Sequence, residues 1–204
     1  MRVILFIAVI LLAGFSTYGQ TDDPPQPCTL KIAQAPAIRG VKLGMTVDEL
    51  VALFPGSSES FNLKQSLAAA EGYPNFGETG FGIHPANWGN KERFDGITDY
   101  YFRLFDRRVF IMSVNYSQFP SGARWKTTDD LIQRFSDALH LPGPRAWGTD
   151  PMSSEQKKLK CDGFEVTVRA GDHGTITFYT GNWEGVKRER LAAFEEQKRN
   201  EFRP

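Results

Sequence analysis

The sequence has few of the residues that most often build catalytic or metal centres. It contains two cysteines, which do not form a Cys-x-x-Cys pair, and three histidines, at positions 84, 140 and 173. No second histidine or cysteine lies within four residues of any histidine, the spacing typical of metal-binding motifs. No Gly-x-Ser-x-Gly motif accompanies Asp172 and His173. We therefore predict no catalytic, cofactor-binding or metal-binding residues, and a protein that is not an enzyme.

An excess of charge of one sign is also absent. The 24 Lys and Arg residues balance the 24 Asp and Glu residues, so the formal net charge is zero. Proteins that bind nucleic acid need clustered Lys and Arg to neutralise phosphates. We therefore predict no nucleic-acid partner.

The chain lacks an apolar run long enough to cross a bilayer, which takes about 20 residues. The longest run, "VILFIAVILLAGF" at 3–15, follows the positive Arg2. Small residues, Thr17 and Gly19, precede a predicted cleavage after Gly19. This pattern predicts a secretory signal peptide over 1–19 and a protein exported to the periplasm or secreted, with no stable membrane insertion after cleavage. The alternative is an uncleaved membrane anchor.

In an exported protein an even pair of cysteines is most simply a disulfide, so we predict a bridge between Cys28 and Cys161. The alternative is a pair of catalytic or metal-binding thiols. Cys28 lies within 20–37, a polar stretch with four prolines. We predict an extended leader there, which the disulfide would tie to the body of the protein.

The stretch "RGVKLGMTVDELVALFPG", residues 39–56, has the clearest pattern. Its apolar residues recur at the spacing of one helical face, and Pro55 and Gly56 follow as stop signals. Thr46 and Glu49 have the spacing of a capping box, in which each side chain accepts a hydrogen bond from the backbone of the other. Because a phosphate-binding loop would need a Gly-Lys-Ser/Thr ending, we interpret the stretch as a capped helix.

A second stretch, "TTDDLIQRF" at 127–135, matches residues 46–54 at four of nine positions, and Thr127 and Asp130 are its predicted caps. Each helix precedes a predicted hairpin, at 97–117 and 163–180. We therefore predict an α+β protein with two tandem helix-plus-β-hairpin units and helices on one face of an antiparallel sheet. The predicted units cover residues 38–120 and 121–183.

Two segments fall outside this repeat. Residues 57–95 form an insertion in the first unit. The stretch "FNLKQSLAAAEG" at 61–72 is predicted to form a short helix, and the glycine- and aromatic-rich remainder is predicted to be mostly loop with one strand near 81–84. Long loops often carry binding residues, and Trp88 is the predicted exposed interface residue within it. Residues 184–204 are predicted to form a charged C-terminal helix.

The Gly-Met-Thr motif and following helix within 39–56 resemble the small outer-membrane lipoproteins of the SmpA/OmlA type. The predicted tandem arrangement resembles the secreted β-lactamase-inhibitory proteins. The resemblance implies a helix packed on an antiparallel sheet and a protein partner rather than a substrate. The chain lacks the lipid-modified cysteine, and its predicted disulfide joins the leader to the second unit. The resemblance therefore does not imply that this protein is anchored to a membrane or inhibits a β-lactamase.

From the resemblance and the absence of catalytic motifs we predict an exported, non-catalytic protein-binding module. The sheet face away from the helices, or the insertion loop, is predicted to bind the partner. One alternative is a hydrolase with dispersed catalytic residues, using His84 or His173 with a distant carboxylate. Another is a binder of small apolar ligands in a cleft between the sheet and the helices.

Overall fold

A computed structural model describes residues 27–88, 92–117, 125–151, 153–171 and 173–201. The predicted signal peptide and the first part of the leader lie outside these residues. The described helices are α1 (Val47–Ala52), α2 (Phe61–Ala69), α3 (Thr128–Leu139) and α4 (Trp183–Glu201). The described strands are β1 (Glu78–Ile83), β2 (Ile97–Phe105), β3 (Arg108–Ser117), β4 (Gly148–Asp150), β5 (Ser153–Lys160), β6 (Phe164–Arg169) and β7 (His173–Thr180).

The strands form one antiparallel sheet in the order β1-β2-β3-β7-β6-β5-β4. Strands β3 and β7 pair at its centre, with Met112 opposite Phe178. The prediction of two tandem helix-plus-hairpin units is therefore wrong, although the α+β class is roughly correct. Pairing β3 with β7 satisfies backbone groups that two separate units would leave on exposed edges.

One face of the sheet, the helix-packed face, carries the core. Phe54, just after α1, packs edge-on against Tyr100 of β2. Phe135 of α3 packs against Tyr116 of β3. Side chains exposed by 1% or less on this face come from five strands: Tyr100, Phe102, Leu104, Val109, Met112, Val114, Leu159, Phe164, Val166, Val168, Ile176 and Phe178.

The helices do not all lie on that face, so this part of the prediction is also wrong. The charged C-terminal helix forms as α4, and it crosses one end of the opposite face. Its Trp183 ring lies 4.5 Å from the Phe110 ring of β3. Its Lys187 Nζ lies 2.5 Å from Glu78 Oε2, and Arg103 of β2 pairs with the other oxygen of the same carboxylate. Buried charge in this position is tolerated because it is paired.

The Gly-Met-Thr motif extends the sheet before the helix begins. The Gly44 N–H donates to Val109 O at 2.8 Å, and the Val109 N–H donates to Met45 O at 2.9 Å. These bonds place the motif beside the start of β3. Strand β7 pairs with β3 only from Ile111 onward, so the motif occupies the same side of β3 before β7 begins to pair. Gly44 has a φ of +79°, which favours glycine, and lets the chain turn into α1.

The predicted capping box of α1 is confirmed. The Glu49 N–H donates to Thr46 Oγ1 at 3.2 Å, and the Thr46 N–H donates to Glu49 Oε2 at 2.8 Å. The backbone hydrogen bond from Thr46 lowers the pKa of the Glu49 carboxyl. The carboxylate therefore stays ionised at the positive end of the helix dipole.

Replacing Thr46 with alanine is expected to lower the free energy of unfolding by about 1 kcal/mol, because the Glu49 amide loses its cap. Urea denaturation followed by circular dichroism measures the change. Thr29→Ala alters an exposed threonine outside a helix and serves as the control. Equal stability of the Thr46 and Thr29 variants would contradict a role for the cap.

The caps of α3 differ from the prediction in one bond. Thr127 Oγ1 accepts from the Asp130 N–H at 3.1 Å, as predicted. The Asp130 carboxylate accepts from the N–H of Lys126 instead of that of Thr127. This bond and a side-chain bond from Arg134 lower the pKa of Asp130.

The insertion at 57–95 forms the expected short helix and one strand, and the strand begins at Glu78, three residues before the expected start. The insertion includes α2 and all of β1, and β1 pairs with β2 along its whole length. Helix α2 lies beside β1, where Thr79 Oγ1 donates to Ser66 O at 2.7 Å. The insertion thus supplies one edge of the sheet.

Candidate functional site

The predicted disulfide is confirmed. Cys28 and Cys161 are bonded, with their Cα atoms 4.7 Å apart. Next to the bridge, the Asp162 N–H donates to Leu30 O at 2.9 Å. The bond therefore fixes the end of the leader beside the turn between β5 and β6.

The three histidines lie on separate elements. His140 ends α3 with a φ of +55°, and His173 begins β7 opposite Ser117. His84 is exposed just after β1. In the described ranges, no carboxylate or hydroxyl forms a hydrogen bond with His84, and no group of three His, Cys, Asp or Glu residues is arranged to hold a metal ion. Among the described residues, the three histidines are therefore not brought together in one site.

Trp88, the predicted exposed interface residue, is half-buried. It packs against the core, and its ring lies 3.7 Å from the position that a Cβ on Gly56 would occupy. In the described part of the chain, the large aromatic residues that are exposed are instead Phe61, Tyr73 and Tyr101, with Tyr101 46% exposed on β2.

Tyr101 lies on the sheet face opposite the core. We call the part of this face that α4 does not cover the open face. Register places one row of side chains across five strands: Tyr101, Ser113, Thr177, Thr167 and Lys158. Within this row the hydroxyls of Ser113 and Thr177 lie 2.9 Å apart and share a hydrogen bond.

A second row of the open face contains Asp99, Asn115, Thr175, Arg169 and Gln156. Asn115 Nδ2 donates to Asp99 Oδ1 at 2.8 Å, and Thr175 Oγ1 donates to Asn115 Oδ1 at 2.7 Å. The chain of bonds fixes the Asn115 amide, with its nitrogen toward β2 and its oxygen toward β7. Three adjacent strands thus carry one connected set of polar side chains.

Aromatic and charged groups border these rows. The Tyr179 hydroxyl lies 3.2 Å from Thr167 Oγ1, and Lys158 pairs with Glu165 at 2.5 Å. At the α4 end, the Arg103 guanidinium lies 5.1 Å from the centre of the Trp183 ring. The open face is therefore polar in the middle, with an exposed tyrosine toward β1 and charges of both signs.

At the same end of β2, an ion pair holds α4 to the β2–β3 turn. Both nitrogens of the Arg190 guanidinium donate to Asp106, each at 2.7 Å. These hydrogen bonds lower the pKa of Asp106 and raise that of Arg190. Helix α4 is thus fixed at this end of the sheet. In the first row Thr177 and Thr167 are buried, with 8% and 3% of their surface exposed, whereas the bonded residues of the second row are partly exposed.

Comparisons with known proteins give no family for this chain. No protein-family model, no curated protein and no solved structure matches it. Among the described helices, none combines the length and the apolar character needed to span a bilayer.

Proposed function

We propose that this protein is an exported, non-catalytic module that binds another protein through the open face of its sheet. The observation that carries the proposal is the connected set of polar side chains on β2, β3 and β7, bordered by the exposed Tyr101. A solvated face of an antiparallel sheet needs polar residues, but it does not need them bonded to one another.

The hydrogen bonds favour binding because they hold side chains in one arrangement before a partner arrives. Asn115 is fixed by Asp99 on one side and Thr175 on the other. Ordering such side chains during association costs about 0.5–1.5 kcal/mol each, and a surface that is already ordered avoids much of this cost.

Tyr101 supports the same proposal. Tyrosine is enriched among the residues that contribute most to protein interfaces, since its ring adds apolar area and its hydroxyl adds a hydrogen bond. Arg169 and Lys158 on β6 and β5, with Asp99 on β2, favour a partner surface that carries both charge signs.

The proposal of export rests on the predicted signal peptide and on the disulfide. Disulfides persist in oxidising compartments and are rare in the cytosol. The bridge between Cys28 and Cys161 therefore supports an extracytoplasmic location.

The test compares two tyrosines that differ in position. The oxidised protein, immobilised and exposed to envelope extract of its source cell, is expected to capture a partner reproducibly. Tyr101→Ala is expected to weaken that capture at least tenfold, the scale of an interface residue that contributes strongly. Tyr73→Ala removes a tyrosine that is 66% exposed but stacks on Phe194, away from the open face, and is expected to bind normally.

A second substitution tests the polar rows themselves. Thr175→Arg places a long cation in the middle of the open face and is expected to abolish capture. Thermal unfolding of each variant confirms that the fold is retained. Capture that survives both Tyr101→Ala and Thr175→Arg would contradict binding through this face.

A further inference from the structure

The two edges of the sheet are protected to different degrees. The β4 edge is three residues long, and the next strand inward, β5, carries Lys157, Lys158 and Lys160. Short edge strands and lysines discourage pairing with other chains. The β1 edge is six residues long and has no lysine or arginine. Its one charged residue, Glu78, is 93% buried against Lys187 and Arg103.

The backbone of β1 presents hydrogen-bonding groups to this free edge. Gly77 O accepts a hydrogen bond from the Asp106 N–H. Residue 77 and every second residue after it in β1, at 79, 81 and 83, therefore direct their backbone N–H and C=O groups toward β2. Because backbone direction alternates along an antiparallel strand, Gly80 and Gly82 direct theirs away from β2. No described residue forms a backbone hydrogen bond with either glycine on that side.

A cleft of about 380 Å³ lies along the same edge. One wall is α2 with the turn before it, the other is the second half of β1, and Trp88 closes one end. The lining residues are Ser57, Ser60, Asn62, Leu63, Ser66, Gly80, Phe81, Gly82, Ile83, His84, Asn87 and Trp88. They include no Asp, Glu, Lys or Arg, so the cleft suits an uncharged occupant.

One lining group points to a polar contact from that occupant. Ser57 is 1% exposed, and its hydroxyl has no hydrogen-bond partner among the described residues. A buried hydroxyl without a partner is unfavourable, and a bound polar group would satisfy it.

We propose that this cleft binds an extended peptide segment, which adds to the sheet as a further strand beside β1. Its backbone pairs with Gly80 and Gly82, whose spacing of two residues, about 6.6 Å, matches the repeat of an extended chain. A serine, threonine or asparagine of the segment enters the cleft and bonds to the Ser57 hydroxyl. The site uses the backbone edge of β1 and does not depend on the function proposed for the open face. The two adjoin each other, because the Tyr101 hydroxyl lies 2.8 Å from the position that a Cβ on Gly80 would occupy.

A second copy of the protein fits this edge less well than a lone segment does. Helix α2 is held close to β1, with the Gly77 N–H donating to Ala70 O at 2.7 Å. A copy that paired through its own β1 would bring its own α2 into the same cleft. An isolated peptide strand carries no such helix.

The test uses a phage-displayed library of random seven-residue peptides, selected on the full oxidised protein. Selected peptides are synthesised, and their dissociation constants are measured by fluorescence anisotropy. Gly82→Pro removes the outward N–H and places ring atoms at the edge, a position where edge strands tolerate proline. It is expected to weaken binding at least tenfold.

Gly82→Ala is the matched control, since it keeps the N–H and its methyl group would meet Tyr100 O at an ordinary 3.6 Å. It is expected to bind within threefold of the wild type. Ser57→Ala is expected to weaken binding of peptides that contain serine, threonine or asparagine, while the thermal midpoint stays unchanged. Methylating alternate peptide nitrogens distinguishes backbone pairing from side-chain binding, because only nitrogens that face β1 should be sensitive.

Three results would overturn the proposal. The first is a selection that yields no peptide, and the second is a set of peptides that bind Gly82→Pro as well as Gly82→Ala. The third is a dimer in sedimentation experiments that Gly82→Pro abolishes, which would make a second copy the occupant. Capture through the open face is measured separately with Thr175→Arg, because β2 and β3 lie between β7 and β1. Failure at one surface therefore leaves the other result intact.

Discussion

Replacing both Cys28 and Cys161 with serine is expected to lower the free energy of unfolding by roughly 3–5 kcal/mol. The bridge joins residues separated by 133 positions, so the reduced unfolded chain gains far more conformations than the oxidised one. The chain-entropy model gives about 5 kcal/mol for a loop of this length, and residual structure in the unfolded chain reduces the measured value.

Guanidinium denaturation with and without dithiothreitol measures this loss. The wild type is expected to weaken on reduction, and the double serine variant is expected to give the same curve in both conditions. A loss below about 1 kcal/mol would show that the disulfide contributes little to the free energy of unfolding.

Phe54→Ala is expected to destabilise the protein by about 3–5 kcal/mol, because it removes a ring from the centre of the core. Phe54 is fully buried, stacked on Phe94 with ring centres 4.7 Å apart and edge-on to Tyr100 at 5.7 Å. The substitution leaves a cavity that two aromatic neighbours fill poorly, and it loosens α1 from β2.

The control for this substitution lies on α1, three residues before Phe54. Val51 is half-buried, so Val51→Ala is expected to cost no more than about 1 kcal/mol. Urea denaturation of both variants provides the comparison. If the two losses were equal, Phe54 would not be a central core residue.

The local elements could be predicted from the sequence because their signals are local. The apolar spacing and capping box of α1 lie within nine residues, from Thr46 to Phe54. The hairpins β2–β3 and β6–β7 each follow from alternation and a short turn. The disulfide followed from a single even pair of cysteines.

The arrangement of these elements could not be predicted, because it depends on residues far apart in the chain. Helix α4 has few apolar residues, and its position depends on Lys187 with Glu78 and on Arg190 with Asp106. These partners are 109 and 84 residues apart, and no spacing rule connects them. The pairing of β3 with β7 is equally non-local.

Binding through the sheet face away from the helices was predicted, but the residues of the open face could not be identified for a related reason. Tyr100 and Tyr101 are adjacent and chemically identical, yet the first is fully buried and the second is 46% exposed. Alternation predicts that they point to opposite faces, but not which face carries the core. The Gly-x-Gly spacing at 80–82 was visible in the sequence, although its position on a sheet edge was not.

The central position of β7 affects the order in which this protein can fold during synthesis. Strands β1 to β3 are complete once residue 117 has left the ribosome, but β3 keeps an unpaired side until residues 173–180 follow. Unpaired strands in a nascent chain promote association, and pairing between distant segments is slow. A stop codon just before β7 would therefore remove the middle of the sheet, although it would leave six of the seven described strands intact in sequence.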